Sequence, residues 1–599
     1  MSSIVFEPIN KRVHCSEGIT IAEVARNAGV SLVSSCGSQG TCGKCRVFII
    51  SGHVSPITNE EKEKISAKDI ERGCRLACLT RVYDEVKVKI PPKSLISSQR
   101  LQVAGNGKTA ALDPLVKRYD ITLSPPSMLD QKSDQTALFA YLDSQYGLKD
   151  LKIDLSAQRQ LPLVLRANEW KAQIVLRGRE IIMAGESGKR LLGLAVDLGT
   201  TKIAAYLADL ETGEILAAKA VVNRQMAYGQ DLMARLNHAM GKEAETLRQA
   251  AADDINQLIR ELCKGTDLSG DQILEAVVVG NTAMHHLFLG LPVRQLALAP
   301  YIPAVSDSMD IKARDLGLAI APGAYVHLLP NIAGFVGADH VAVLLATGIY
   351  NTEKTTIGID IGTNTEISLA VKDRLLSTSC ASGPAFEGAH IKYGMRAEGG
   401  AIEKVKITGS SVEIRTINNE PPVGICGSGI LDAIAQLRKA GIIDRMGKML
   451  AHPLVRDGEK GQEFVLVYAQ NSGSGTDITI TETDISEILM AKAAIAAALN
   501  ILLEETKLTW DEVDEILIAG AFGSYIDVAS AIEIGMFAAV PMNRFSQIGN
   551  AAGTGAKLAL LSKEQRELSM AITRKATYVE LTNHPQYLRK FSRAIRLPA

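Results

Sequence analysis

The sequence carries almost no net charge and has few cysteines beyond its first 79 residues. Its 599 residues include 65 basic and 66 acidic side chains, a formal net charge of −1. This balance argues against a nucleic-acid partner or an anionic membrane as partner. Only three of the nine cysteines lie beyond residue 79, which excludes a disulfide framework spread along the chain. The cysteine pattern therefore indicates a reducing compartment and one local metal site.

Long apolar runs, an export signal and a Walker A loop are also missing. No uninterrupted apolar stretch is long enough to span a bilayer, and MSSIVFEPINKRV lacks the basic-then-apolar order of a signal peptide. We therefore expect a soluble, cytoplasmic protein. GNGKT (105–109) has Gln102 where a Walker A loop needs its first glycine, and GESGKR (185–190) has Met183 there.

Length and composition predict a multidomain α/β protein. A chain with 46% hydrophobic and 22% charged residues has a globular composition, and 599 residues are too many for one core. Alternating strands and a capped helix predict a small domain over residues 1–91. Residues 92–112 are rich in small and polar residues and predict a linker. Residues 113–188 predict a small middle α+β domain for docking or dimerisation, and residues 193–599 a large α/β unit.

Cysteines near the N-terminus have the spacing of an iron–sulfur site. CGSQGTCGKC places Cys36, Cys42 and Cys45 as C-x5-C-x2-C on a glycine-rich loop, and Cys74 or Cys78 can add a fourth thiolate. The pattern resembles the adrenodoxin-like ferredoxins. That resemblance implies a β-grasp domain with a [2Fe–2S] cluster on Cys36, Cys42, Cys45 and Cys78. Structural zinc is the alternative, although zinc ribbons normally pair two C-x2-C knuckles.

The C-terminal unit contains an internal repeat. GLAVDLGTTKIAAYLADLETGEIL (193–216) is similar to IGIDIGTNTEISLAVKDRLLSTS (357–379), and each is an apolar strand that runs into Asp-x-Gly-Thr and then a second strand. AVVVGNTAMHHL (276–287) likewise matches ILIAGAFGSYI (516–526), a strand followed by glycine and an expected helix start. Two copies in the same order predict a duplicated fold with a cleft between its halves.

Both Asp-x-Gly-Thr turns are suited to nucleotide binding. A strand delivers a carboxylate that can hold Mg²⁺ through water, and the following glycine and hydroxyl residues present donors to phosphate oxygens. The repeat resembles the sugar kinase–Hsp70–actin superfamily, which implies an actin-like ATPase with an adenosine motif in LIAGAFG (517–523). The predicted catalytic carboxylates are Asp197 and Asp360. The predicted nucleotide-binding residues are Gly199, Thr200, Thr201, Lys202, Gly362, Thr363, Asn364, Gly520, Ala521 and Gly523.

Three further glycine-rich turns have two open interpretations. SGPAFEGA (382–389), GICGSG (424–429) and AAGTGA (551–556) are each either a nucleotide contact or an ordinary loop. His285 and His286 follow GNTAM and invite a metal hypothesis, but we expect packing roles for them.

The domain order resembles the reductive activators of corrinoid proteins. GNTAMHHLFLG (280–290) and SGPAFEGAHIKYGMRAEGGAI (382–402) look like signatures of that family. The resemblance implies an ATP- and Mg²⁺-dependent enzyme that passes one electron from a [2Fe–2S] cluster to cob(II)alamin on a corrinoid protein. Cob(I)alamin is thereby regenerated in a methyltransferase or O-demethylase system, and an upstream donor refills the cluster. A homodimer through the middle domain is a further expectation.

Three other functions stay open at the level of sequence. A small-molecule kinase fused to a ferredoxin domain would need a general base that the sequence does not single out. An activator of a radical dehydratase would hold its cluster on cysteines within the ATPase, where Cys263, Cys380 and Cys426 stand singly. A nucleotide sensor would bind ATP without appreciable hydrolysis.

Overall fold

The chain folds into four units: an N-terminal domain, a middle domain and two lobes. The computed structural model describes residues 2–7, 11–28, 30, 32, 38, 40–41, 43–91, 111–229, 231–241, 243–264, 266–459, 461–520 and 522–598. The predicted linker 92–112 lies almost entirely outside the described residues.

The N-terminal domain is a five-stranded mixed sheet with three short helices, of which α1 packs against the sheet. Its elements are β1 (Ser2–Glu7), β2 (Lys11–Cys15), α1 (Ile21–Asn27), β3 (Arg46–Ser51), α2 (Asn59–Lys64), α3 (Ala67–Glu71), β4 (Cys74–Leu76) and β5 (Glu85–Lys89). The strand order is β2-β1-β5-β3-β4. Thr20 and Glu23 exchange hydrogen bonds at the start of α1, and Val24 shares a buried core with Phe6 and Val88 of the sheet. This is the predicted β-grasp arrangement.

The middle domain has a core of its own. Its elements are β6 (Val116–Thr122), α4 (Asp134–Tyr146), β7 (Lys152–Ile153), α5 (Leu155–Ala167), β8 (Lys171–Arg177) and β9 (Glu180–Gly185). The sheet order is β6-β8-β9-β7. Leu138 and Leu142 of α4 and Leu161 of α5 are buried with Ile174 of the sheet, which makes this the predicted α+β unit.

The first lobe is a six-stranded sheet in the order β12-β11-β10-β13-β15-β14. Its elements are β10 (Leu192–Leu198), β11 (Lys202–Asp209), β12 (Ile215–Val222), α6 (Leu232–Ala239), α7 (Ala244–Cys263), β13 (Ile273–Val279), α8 (Thr282–Leu289), α9 (Arg294–Ala297), β14 (Met309–Lys312), β15 (Tyr325–Leu328) and α10 (Ala338–Thr347).

The second lobe has a sheet in the order β26-β25-β16-β17-β18-β27, with two small sheets inserted. Its strands are β16 (Thr356–Ile361), β17 (Thr365–Val371), β18 (Arg374–Cys380), β19 (Ala401–Thr408), β20 (Ser411–Thr416), β21 (Gly424–Ile425), β22 (Val455–Gly458), β23 (Gly461–Val467), β24 (Ile478–Thr481), β25 (Glu515–Ala519), β26 (Phe545–Gly549) and β27 (Ala576–Tyr578). Its helices are α11 (Gly427–Lys439), α12 (Glu482–Thr506), α13 (Val528–Glu533), α14 (Ala551–Leu561), α15 (Lys563–Lys575) and α16 (Tyr587–Ala594).

The two lobes repeat one topology, as the sequence predicts. In each lobe three antiparallel strands are followed by two parallel ones, β12-β11-β10-β13-β15 in the first and β18-β17-β16-β25-β26 in the second. One expectation is wrong in detail. A helix follows Gly280 almost at once, as α8, whereas after Gly520 the chain makes turns and α13 begins only at Val528.

Two helices connect the lobes. Helix α14 follows the second-lobe strand β26 but packs into the core of the first lobe with α10. Gly555 permits this crossing, because a Cβ there would lie 2.1 Å from the carbonyl oxygen of Ala342. Among the described residues one helix, α12, is long and apolar enough to cross a membrane. Of its most apolar stretch, 78% is buried inside the protein, where the helix forms part of the core of the second lobe.

Ion pairs bind the middle domain to the first lobe. Arg177 of β8 contacts the buried carboxylate of Glu275 at 2.8 Å and Asp310 at 2.5 Å. Asp154, which caps α5, pairs with Lys312 of β14 at 3.1 Å. Apolar side chains of the middle domain also extend the core of the first lobe: Val116, Val175 and Ile182.

Replacing Gly555 with alanine is expected to destabilise the two lobes by about 1–3 kcal/mol, because the added Cβ forces α10 and α14 apart. The denaturant midpoint of the lobes measures this. Gly185→Ala is the control, since its Cβ would meet only the end of the Met183 side chain, at 3.2 Å. Equal midpoints for the Gly555 variant and the wild type would contradict the interpretation of the crossing.

Candidate functional site

Two of the four predicted cluster cysteines lie side by side in the N-terminal domain. The Sγ atoms of Cys45 and Cys78 are 3.3 Å apart, close enough for both thiolates to bind the same metal centre. The backbone N–H of Ala77 donates to the carbonyl of Cys45 at 2.9 Å, which joins the two cysteine segments. Cys36 and Cys42 lie outside the described residues.

A buried carboxylate shapes the turn that carries Cys78. One oxygen of Glu61 accepts hydrogen bonds from the N–H of Leu76 at 2.9 Å and the hydroxyl of Thr80 at 3.1 Å, on either side of that cysteine. Arg75 neutralises the buried carboxylate at 2.8 Å. Sequence reasoning did not find Glu61, although its place in a Thr58 capping box was a signal.

Cys74 occupies a different environment. It lies in β4 opposite Phe48, and its side chain is fully buried in the domain core. Burial raises the pKa of the Cys74 thiol to about 11, which disfavours the thiolate that a metal requires. The geometry therefore favours Cys78 over Cys74 as a ligand.

A cavity of about 250 Å³ lies between the lobes and is lined by both Asp-x-Gly-Thr turns. The predicted site residues that line it are Asp197, Gly199, Thr200, Thr201, Lys202, Asp360, Gly362, Thr363, Asn364 and Gly520. Ala521 lies outside the described residues. Gly523 is not among the lining residues, and a Cβ there would lie 2.2 Å from the carbonyl of Ala519, so this glycine serves a tight turn.

The three glycine-rich turns left open by the sequence all reach this cavity. The turn at 382–389 contributes Phe386 and Glu387, and the segment 424–429 contributes residues 426–428. The segment 551–556 contributes Ala551 and Ala552, but it is the beginning of helix α14 and not the predicted turn. His285 and His286 are buried instead, and His286 is fixed between the carbonyl of Thr282 and the N–H of Ala304. They pack, as expected.

The duplicated topology brings the two aspartates together. Asp197 near the end of β10 is paired with the last residue of β13, and Asp360 near the end of β16 with the last residue of β25. The carboxyl ends of parallel strands form the ligand-binding edge in such sheets. A glycine follows each of the strands β13 and β25. A side chain would not fit there, because a Cβ at Gly280 or Gly520 would lie 2.8 or 2.6 Å from a backbone oxygen of the neighbouring strand.

Four buried carboxyl groups repel one another around the cavity. Burial raises the pKa of Asp197 to about 6, and burial with the charge of Asp197 raises that of Asp360 to about 7. Burial and the charges of Asp360 and Asp197 raise the pKa of Asp339 to about 8. The pKa of Glu366 is raised well above its usual range by burial and by the charges of Asp339 and Asp360. Sequence reasoning did not single out Asp339 or Glu366.

Hydrogen bonds hold the Asp-x-Gly-Thr turn of the first lobe in place. The amide of Asn281 donates to the Thr200 hydroxyl at 3.0 Å, and that of Asn223 donates to the carbonyl of Gly199 at 2.9 Å. The amide of Asn550 donates to Asp197 at 2.9 Å. Asn223 and Asn550 come from segments that no predicted motif includes, whereas Asn281 lies in the quoted segment GNTAMHHLFLG (280–290) but was not assigned a role there.

The carboxylate of Glu387 connects the two Asp-x-Gly-Thr turns. The Thr201 hydroxyl of the first lobe donates to Oε2 of Glu387 at 2.9 Å, and the Thr363 hydroxyl of the second lobe donates to Oε1 at 2.6 Å. Glu387 therefore links the lobes across the cavity.

Family models cover most of the chain in four consecutive segments. Residues 4–83 match the 2Fe-2S iron-sulfur cluster binding domain, and residues 106–190 match the RACo linker region. Residues 192–352 match the RACo middle region, and residues 354–599 match the C-terminal domain of RACo, the ASKHA domain. In these terms our middle domain is the linker region, and our first lobe is the middle region.

Individual relatives match over the whole chain. The corrinoid activation enzyme RamQ of Eubacterium limosum is 32% identical over 98% of both chains. The chain belongs to the reductive activators of corrinoid proteins. A solved reductive activator for corrinoid, iron-sulfur protein covers 100% of this activator and 98% of its own chain, at 36% identity and a TM-score of 0.74.

A third relative matches part of the activator. The [Co(II) methylated amine-specific corrinoid protein] reductase of Methanosarcina barkeri is 27% identical over 65% of this chain and 73% of its own. The family assignment confirms the predicted combination of an iron–sulfur domain with an ATPase. It favours an activator over a small-molecule kinase or an activator of a radical dehydratase.

Replacing Cys78 with alanine is expected to abolish assembly of the [2Fe–2S] cluster, because one thiolate is lost. Cys74→Ala is the matched control and is expected to keep the cluster. Iron and acid-labile sulfide content and visible absorption after anaerobic purification measure both. A fully loaded Cys78 variant beside a colourless Cys74 variant would contradict the ligand assignment.

Replacing Asp360 with asparagine is expected to stabilise the ligand-free lobes at pH 8 by about 2 kcal/mol and to have much less effect at pH 5. The folded pKa of about 7 exceeds the ordinary value of 3.8. The stability contributed by this carboxyl is therefore complete below pH 3.8 and is lost as the pH rises through 7. Denaturant midpoints at both pH values measure this, with the exposed Asp373→Asn as control. A uniform shift at both pH values would contradict it.

Proposed function

We propose that this activator couples ATP to the one-electron reduction of cob(II)alamin on a corrinoid protein of a methyltransferase or O-demethylase system. One observation carries the proposal. A single chain joins two apposed N-terminal thiols to two ATPase lobes that direct buried carboxylates into one cavity. The names of the relatives, which act on corrinoid proteins, agree with it.

Cys36, Cys42, Cys45 and Cys78 would hold the [2Fe–2S] cluster. The bound cluster would supply one electron at a time. The chain's own contribution is to keep Cys45 and Cys78 adjacent, and the Glu61–Arg75 pair does this by fixing the turn around Cys78. The immediate electron donor would be a cytoplasmic protein or small carrier.

The inter-lobe cavity would bind ATP with Mg²⁺. The hydroxyls of Thr200, Thr201 and Thr363 face the cavity from both lobes and would donate to phosphate oxygens. Lys202 adds a positive charge, and burial lowers the pKa of its ammonium group. Asp197 and Asp360 would accept waters of the magnesium ion, and a bound cation would relieve their mutual repulsion.

The nucleoside would lie on the side of the second lobe. Gly520 would let the backbone lie close to the nucleoside there. The stacked rings of Phe386 and Phe522, with centroids 4.6 Å apart, line the same side of the cavity. Together with the first-lobe residues this would place a triphosphate between two bodies that can rotate. Binding to both lobes would then favour closure.

Closure would supply the free energy for a difficult electron transfer. An adverse potential gap costs about 2.3 kcal/mol per 100 mV for one electron. Nucleotide cannot itself carry electrons, so the coupling must act through the contact between the activator and its corrinoid partner. We place the activator in the cytoplasm, and the middle domain would offer a surface for a homodimer.

Replacing Lys202 with alanine is expected to lower the ATP-dependent rate of cob(II)alamin reduction by at least about 10-fold, because one phosphate contact is lost. The cluster spectrum should not change. Lys219→Ala is the control, since Lys219 is exposed on the neighbouring strand β12. The cobalt absorption spectrum of the corrinoid partner is followed with and without ATP. A wild-type rate for the Lys202 variant at limiting ATP would contradict the site.

A further inference from the structure

The segment 382–402 supplies two charged residues to the inter-lobe cavity. Glu387 and Arg396 both line it. The turns that carry them are packed backbone against backbone, because a Cβ at Gly388 would lie 2.5 Å from the carbonyl of Met395. The proposed function so far uses neither side chain.

Arg396 presents a buried donor with no partner among the described residues. Its Nη1 atom is buried and makes no hydrogen bond there, while Nη2 contacts the sulfur of Met226 at 3.1 Å. A buried unsatisfied guanidinium nitrogen is costly. A ligand with anionic oxygens would satisfy it, since guanidinium groups bind phosphate and carboxylate well.

Glu387 already occupies the centre of a site built for an anion. It accepts hydrogen bonds from the hydroxyls of Thr201 and Thr363, one from each Asp-x-Gly-Thr turn. Its charge also acts favourably on three basic residues of the first and second lobes: Lys202, Arg235 and Arg396. The carboxylate thus has the surroundings expected of a bound phosphate group.

We infer that Glu387 is an internal substitute for a phosphate group, which holds the lobes together without nucleotide and is displaced when ATP binds. Two anions cannot share the same hydroxyl donors, so the triphosphate must take over Thr201 and Thr363. Arg396 then gains the phosphate oxygen that its buried nitrogen lacks. The inference rests on the proposed function, because it takes ATP as the ligand of this cavity. Glu387 is a positioning residue in this scheme.

If ATP displaces Glu387, the effect of this residue on affinity should depend on whether the ligand carries phosphates. The carboxylate competes with phosphates but not with the nucleoside, so it should weaken binding of a triphosphate and leave adenosine unaffected. Glu387→Gln keeps the shape and one oxygen acceptor, removes the charge, and replaces the second acceptor oxygen with an NH₂ donor, so only one of the two threonine hydroxyls keeps its acceptor. We expect this variant to bind a non-hydrolysable ATP analogue about 10-fold more tightly than the wild type, with unchanged adenosine affinity.

Isothermal titration of the full-length activator with the ATP analogue and with adenosine tests this. Glu398→Gln is the matched control, because Glu398 lies in the same segment and its charge also acts on Lys202 and Arg396. It should change the affinity less than about 2-fold. Arg396→Gln should weaken the analogue about 10-fold and leave adenosine unchanged. Melting temperatures without ligand check that each variant is folded.

Two outcomes would overturn the inference. Weaker or unchanged binding of the analogue by Glu387→Gln would mean that the carboxylate supports the nucleotide or does not meet it. An equal gain for adenosine would mean a general change of shape. Failure of the proposed function is distinguishable: a wild type that binds neither the ATP analogue nor adenosine would refute ATP as the ligand of this cavity, and a wild type that binds ATP but reduces no cob(II)alamin would refute the coupling.

Discussion

The ATPase half of the molecule depends on the burial of like charges where its two lobes meet. Duplication delivers Asp197 and Asp360 from equivalent strands into one cavity, and Asp339 adds a third carboxyl from the connecting helix α10. Burial raises the pKa of each carboxyl, and the charges of neighbouring aspartates raise those of Asp339 and Asp360 further. In the proposed function a cation with a polyphosphate would relieve this repulsion, and the energy of ligand binding would then act where the two lobes meet.

The buried carboxylates divide into two physical classes. Glu61 and Glu275 are paired with arginines at 2.8 and 2.6 Å. Glu61 fixes the turn around Cys78, and Glu275 fixes the contact between the middle domain and the first lobe. Asp360 and Asp339 instead line the cavity and face other acids. Removing a partner from a buried pair is strongly destabilising, whereas neutralising one of several repelling charges stabilises. Pairing therefore separates structural charges from functional ones.

Local patterns carried most of what the sequence could predict. Asp-x-Gly-Thr after an apolar strand and the close cysteine spacing are local signals, and the fold confirms the repeat that they announced. Asp339 and Asn550 reach the cavity singly from distant segments, so no spacing could indicate them. Glu387 lay inside a recognised segment, but its bonds to both lobes depend on the tertiary fold.

The ion pairs of the middle domain have a mechanical consequence. Arg177 and Asp154 fasten that domain to β13 and β14, so the middle domain and the first lobe turn as one body. The segment that leads back to the iron–sulfur domain ends where the middle domain begins, near residue 111. Rotation of the first lobe against the second would therefore displace this attachment point. ATP hydrolysis in the cavity between the lobes would then move the iron–sulfur domain.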